Sequence, residues 1–165
     1  MNEPAAPLTM TALTAMGTEV GTETGPGATT KAFNRTLIEA FRANGGVLPG
    51  ELQRVDFLLL TTTGAKSGAK RVTPLVYRRT GGRLIIIAST GGGPRNPAWF
   101  DNLIKDPSVT VELGADTWQA RAVVLADADR DAVFADVVAW QPTFGSYQAR
   151  TERRIPVVEL LPGDA

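Results

Sequence analysis

Apolar residues along this chain recur first with a helical period and then with the period of strands. From Thr30 to Asn44, Phe33, Leu37 and Phe41 fall four apart on one face with Ala40, and Arg35, Glu39 and Arg42 lie away from that face. Thr29 or Thr30 is placed to cap the start of this helix, and Gly45-Gly46 to end it. A connector from Val47 to Asp56 carries Pro49 and Gly50. Three β-type runs follow, over 57–63, 70–79 and 83–90, joined by glycine-bracketed turns. In the second run Val72, Pro74 and Val76 share one face, and Thr73, Leu75 and Tyr77 the other. Proline cannot donate a ladder hydrogen bond, so Pro74 is expected at an edge or a bulge. Gly81-Gly82 suits a tight hairpin.

Gly91 to Arg95 reads as a flexible loop, with Asn96 as the cap and Pro97 as the first residue of a short helix over Ala98–Lys105, closed by Asp106-Pro107. Ser108–Leu113 and Thr117–Leu125 alternate as strands around Gly114-Ala115-Asp116. Asp127–Trp140 is an amphipathic helix with Val133, Val137 and Trp140 on one face. Gln141–Arg154 reads as a polar and aromatic loop, and Ile155–Leu161 as a last strand. About six strands joined mainly by hairpins leave connections too short for repeated βαβ units. The expected fold is mainly β, in the α+β class: a small antiparallel barrel with covering helices.

Residues 1–29, rich in Thr, Gly, Ala and Pro, show no sustained period and are expected to form a disordered leader, removable without loss of fold. No basic residue precedes Lys31, so the charged start of a secretory signal is missing. Residues 30–165 are then one domain. No stretch approaches the roughly 18 apolar residues of a membrane span. A formal net charge of zero gives no support to nucleic-acid binding. The chain has neither Cys nor His, which removes disulfides, thiolate or imidazole metal sites, Cys nucleophiles and Ser-His-Asp triads. Asp127, Asp129 and Asp131 lack EF-hand spacing and read as solvating and capping a helix start rather than holding a metal.

No protein group stands out as a catalytic base or nucleophile, a pattern that fits an enzyme borrowing a cofactor's chemistry. The strongest candidate for binding is the turn Gly64-Ala65-Lys66-Ser67-Gly68-Ala69-Lys70-Arg71, whose cations and backbone N–H groups suit an anion. A solvated hairpin tip is the alternative. It is not a phosphate loop of the nucleotide-binding kind, because a strand and not a helix follows. Gly91-Gly92-Gly93 opens no dinucleotide fingerprint. The start of the Ala98 helix is a second candidate anion site, with an ordinary crossover helix carrying Trp99 in the core as its alternative.

The run LLLTTTGAKSGAKRVTPLVY, followed by PAWFDNL and by YQARTERRIPVVEL, resembles the deazaflavin-dependent nitroreductase family over about Phe33 to Pro162. These are small actinobacterial oxidoreductases that use coenzyme F420, an 8-hydroxy-5-deazaflavin. The resemblance implies the split β-barrel of FMN-binding proteins, with an N-terminal helix near the substrate mouth. It implies hydride transfer from reduced F420 to a quinone, enone or nitroaromatic acceptor. An FMN-dependent reductase of the same barrel class and a non-catalytic F420-binding or storage protein stay open as alternatives. By resemblance, Ala65, Lys66 and Ser67 meet the anionic phosphate and tail, helped by Lys70, Arg71 and Arg54. Arg71, Val72, Thr73, Pro74, Leu75 and Val76 run along the ring and its linker. Ile87, Ala88, Ser89 and Thr90 lie under the ring, and Ala98, Trp99, Phe100, Asp101 and Asn102 hold the phosphate side. Relatives often carry a basic residue at Ala65, a Lys at Thr90 and a Tyr at Phe144. Phe144 and Tyr147 are therefore expected at the acceptor pocket, without the hydrogen bond that a Tyr at Phe144 would donate. Such a protein is expected in the cytoplasm, with peripheral membrane contact as a variant and its oligomeric state open.

Overall fold

The computed structural model describes residues 27–48 and 56–163, with side chains from Asn34 onward. Six strands close into an antiparallel barrel: β1 (Phe57–Thr63), β2 (Lys70–Thr80), β3 (Arg83–Ile87), β4 (Ser108–Leu113), β5 (Asp116–Val124) and β6 (Val157–Pro162), in the order β1-β2-β3-β6-β5-β4. The helices are α1 (Gly27–Ala43), α2 (Ala98–Lys105), α3 (Asp127–Trp140) and α4 (Thr143–Ala149). The expected barrel with helical cover is what forms.

The unbroken apolar runs have a simple cause. In β1, Leu58 and Leu60 point into the barrel, while Phe57 and Leu59 point out against Leu37 and Phe41 of α1. In β3, Leu84 and Ile86 point in, and Ile85 and Ile87 point out beneath α3 and α4. A strand covered on both faces loses its polar alternation. Each such side chain contributes about 1.5–3 kcal/mol on burial. Trp99, Phe100 and Leu103 place α2 across one end of the barrel interior.

Local signals account for most turns. Gly46 N–H donates to the carbonyl of Phe41 at 2.8 Å, ending α1 through a left-handed glycine. Gly81 and Gly82, with φ of 57° and 78°, close the β2–β3 hairpin. β2 pairs with β1 through Lys70–Val76 but with β3 only through Tyr77–Thr80, so Pro74 lies on a locally open side of the strand, as expected.

The differences are instructive. α1 begins at Gly27, which puts Thr29 and Thr30 inside it rather than at its cap. β3 stops at Ile87 instead of Thr90, and Thr90–Gly92 form a 3-10 turn. The cap of α2 is Pro97, because Asn96 Oδ1 is taken by the Arg153 guanidinium at 2.7 Å. Residues Gln141–Arg154 are not a loop: α4 lies there, held by burial of Phe144 and Tyr147 and by Gly145, where a Cβ would stand 3.2 Å from Val138 Cγ1. Asp129 and Asp131 do not cap α3; its cap is Ala126, and both carboxylates are in ion pairs. Pro49, Gly50 and Arg54, and residues 1–26 of the expected leader, lie outside the described residues. No helix among the described residues is long and apolar enough to cross a membrane.

Candidate functional site

The turn between β1 and β2 is closed by its own hydrogen bonds. Gly64 N–H donates to Ala69 O at 2.7 Å, Gly68 N–H to Gly64 O at 2.8 Å, and Ala69 N–H to Ser67 Oγ at 3.1 Å. Gly68 takes φ 72°, which a side chain would resist. Lys66, Ser67, Lys70 and Arg71 are left exposed around this frame.

The turn forms one wall of a cleft of about 870 Å³. α1 supplies Asn34, Arg35, Ile38, Glu39 and Arg42. Val72 and Thr73 of β2 supply the floor, and Ala98, Trp99, Asp101 and Asn102 of α2 the far wall. Arg35, Arg42, Lys66, Lys70 and Arg71 set five cations against the two carboxylates of Glu39 and Asp101. Arg42 is engaged by Glu112 through bonds of 3.0 and 2.8 Å, which also hold its guanidinium more firmly protonated. Lys70 Nζ donates to Thr63 Oγ1 at 2.9 Å. Among the described residues, no carboxylate pairs with Arg35, Lys66, Lys70 or Arg71. Among the described residues, two buried polar atoms of the lining also lack a partner: Nε1 of Trp99 and Oδ1 of Asn34. A buried indole N–H normally finds an acceptor. Trp99 lines the cleft and is only 3% exposed, which leaves its indole N–H a buried donor without a partner among the described residues.

The other residues singled out from the sequence divide. Ala65, Lys66, Ser67, Arg71, Val72, Thr73, Ala98, Trp99, Asp101 and Asn102 meet at this cleft. Phe100 turns into the barrel, edge-on to Trp99 with centroids 6.4 Å apart. Pro74, Leu75, Ile87, Ala88 and Ser89 are buried, and Val76 packs beneath α1. Thr90 is held at φ 43°, a strained angle for a β-branched residue, by a 2.7 Å bond from its Oγ1 to Arg95 O. Phe144 and Tyr147 are not brought to the cleft. They pack edge to face, 5.8 Å apart, in the cluster of Ile85, Ile87, Val133 and Val137 on the other side of the barrel wall.

Two features escaped the sequence reading. The α1 residues of the cleft are a polar stripe that looks like any solvated helix face. Arg153 is the second: its guanidinium donates to the carbonyls of Ala88, Ser89 and Gly93 and to Thr90 Oγ1 and Asn96 Oδ1, all at 2.7–3.1 Å. It replaces the strand ladder where β3 stops. The dense charge in TERRIP was its only sequence signal.

The sequence model of the F420H(2)-dependent quinone reductase family matches residues 33–162. The F420H(2)-dependent quinone reductase Rv1261c of Mycobacterium tuberculosis is 40% identical over 110 residues, covering 62% of this chain and 71% of that protein. The solved structure of an F420-H2 dependent reductase, FDR-A, is similar with a TM-score of 0.58 at 36% identity, covering 64% of this chain and 93% of that one. A second solved structure, described as a domain-swapped dimer, is 30% identical with a TM-score of 0.61 over 82% of this chain and 99% of its own.

Proposed function

Because this chain belongs to the F420H(2)-dependent quinone reductase family, we propose that its cationic cleft holds the phosphate and tail of coenzyme F420. The protein is an oxidoreductase that transfers a hydride from reduced F420 to a quinone. The observation that supports this placing of the cofactor is the juxtaposition of unpaired Lys66 and Arg71 with the orphan Nε1–H of Trp99.

The residues fit an anionic, hydroxyl-bearing ligand. Lys66 and Arg71 donate charge-assisted hydrogen bonds to phosphate or carboxylate oxygens. Trp99 donates from its buried indole N–H, and Asn34 Oδ1 accepts from a hydroxyl. Ile38 and Val72 present apolar surface beside them. Bound there in its reduced form, the deazaflavin supplies the hydride. Pro74, Leu75, Ile87, Ala88 and Ser89 have little or no exposed side chain, so their contribution to a ring site runs through the backbone. α1 forms the outer wall of the cleft.

A cytoplasmic location, with the protein reaching an apolar quinone at a membrane surface, belongs to the same proposal. The experiment is a fluorescence titration with oxidised F420 and with FMN, followed by steady-state oxidation of reduced F420 by menadione. F420 is expected to bind and turn over while FMN does not. FMN binding in preference to F420 would overturn the assignment.

A further inference from the structure

Asn102 lies on the inner side of α2, 9% exposed, and both ends of its amide are committed. Oδ1 accepts the N–H of Ala65 at 2.9 Å, and Nδ2 donates to Oγ1 of Thr62 at 3.1 Å. Thr62 is itself 1% exposed. Three residues on, Lys105 Nζ donates to Ala65 O at 2.5 Å. The helix therefore holds both polar backbone groups of the residue that precedes Lys66. An amide suits this place because one partner is a donor and the other accepts.

The turn's internal bonds fix its shape but not its tilt, since they all run between residues 64 and 69. The bonds from α2 are different: they join positions 37 and 40 residues apart and fix the turn relative to the opposite wall of the cleft. Lys66 and Ser67 stand on the arc that these bonds hold. Trp99, with its orphan N–H, stands on the same helix.

We infer that Asn102 is a positioning residue: from its place in the cleft wall it sets the anion-binding turn at a fixed distance from α2. The inference rests on the reading of the cleft as the cofactor site and deepens it. Through the bond from Ala65 N–H to its Oδ1, Asn102 acts on the cofactor by way of the turn that carries Lys66 and Ser67. Its loss lets the turn rock and raises the ordering cost of closing the cations on an anion.

The test is a double-mutant cycle read by fluorescence titration. Two ligands are compared: F420, and the deazaflavin chromophore lacking phosphate and tail. Asn102→Ala is expected to weaken F420 about tenfold, as expected for losing the hydrogen bond that holds a charged contact in place. The chromophore alone should lose less than about twofold. In a Lys66→Ala background, Asn102→Ala should cost less than about twofold further, because the two residues act through one contact. Equal losses for both ligands, or full additivity with Lys66→Ala, would overturn the inference. If Lys66→Ala itself leaves F420 affinity unchanged, the cofactor-site reading fails and the inference with it. If Lys66→Ala weakens binding and Asn102→Ala does not, only the inference fails. Should Asn102→Ala not fold, Thr62→Val removes just the hydroxyl that orients the amide. An about threefold loss for F420 alone is expected there, and unchanged affinity counts against the positioning role.

Discussion

Two regions of this barrel use cations in opposite ways. On the side covered by α3 and α4, four arginines are held by the protein's own acceptors. Arg83 is bidentate to Asp129 at 3.0 and 2.9 Å and also reaches Glu159. Arg130 donates to the carbonyl of Ile155, to Gln148 and to Asp131. Arg154 binds Asp131 and the carbonyl of Asp127, and Arg153 binds the loop at the end of β3. Across the molecule, Lys66 and Arg71 face a cleft with no carboxylate paired to them among the described residues. The same residue type is structural where its donors are consumed and available for a ligand where they are not. Burial separates the regions further: Arg130 is pushed below the usual guanidinium range by desolvation, whereas Lys66 and Arg71 stay in solvent.

That contrast can be broken most sharply at Arg153. Arg153→Met takes this donor from the carbonyls of Ala88 and Gly93, while that of Ser89 keeps the Gly92 N–H at 2.9 Å. Unsatisfied buried acceptors cost about 1–3 kcal/mol apiece, so a loss of about 3 kcal/mol or more is expected. Urea denaturation measures it. A variant as stable as the parent would show that the guanidinium is not a structural staple.

The opposite outcome is expected at the cleft. Lys66→Ala and Arg71→Ala should each weaken F420 about tenfold, on the scale of one charge-assisted hydrogen bond of roughly 1.5–3 kcal/mol. Melting temperature should hardly move, and the loss should shrink at high salt because both groups are exposed. Unchanged titrations for both variants would remove the anion site.

Phe144→Tyr tests the expectation that this residue lines the acceptor pocket. Its ring is 4% exposed and packed against Tyr147. Adding a hydroxyl there without a partner should cost about 1–2 kcal/mol of stability. The ratio of nitroimidazole to menadione turnover should stay constant. A rise in nitroimidazole turnover at unchanged stability would put Phe144 at the acceptor.

The smallest effect belongs to the exposed ion pairs. The hydrogen bond from Arg83 holds the Asp129 carboxyl below the usual carboxylate range. Arg154 first, and then Arg130, do the same for Asp131. A carboxylate with a depressed folded pKa contributes stability above its unfolded value, near pH 4, and loses it as the pH falls through the folded value. Melting temperatures of the parent and of Arg83→Met should therefore differ at neutral pH and converge in acid below about pH 4. The difference should be modest, because exposed pairs contribute little. Curves that stay parallel through that range would remove Asp129 as the linked group.

Much of this was readable from local pattern. The strand period gave β1, β2, β4 and β5 nearly to the residue, and glycine pairs marked the β2–β3 hairpin and the end of α1. The turn carrying Lys66 and Arg71 stood out because its cations lie between two glycine-bracketed strands. α4 was not legible, since Pro142, Gly145 and Ser146 argue against a helix that only the burial of Phe144 and Tyr147 sustains.

What the sequence by itself determined was therefore what short-range physics controls: which residues are apolar, with what period, and where the backbone can turn. Period reveals that both faces of FLLL and LIII are covered, but not by what. Only closure of the barrel put α1 over β1 and α3 with α4 over β3. The hydrogen bonds that shape the site belong to that second kind. Asn102 meets Ala65 across 37 residues, and Arg153 meets Ala88 across 65. No local periodicity encodes such a pairing, because an amide or a guanidinium finds its acceptors only after the strands between them have paired.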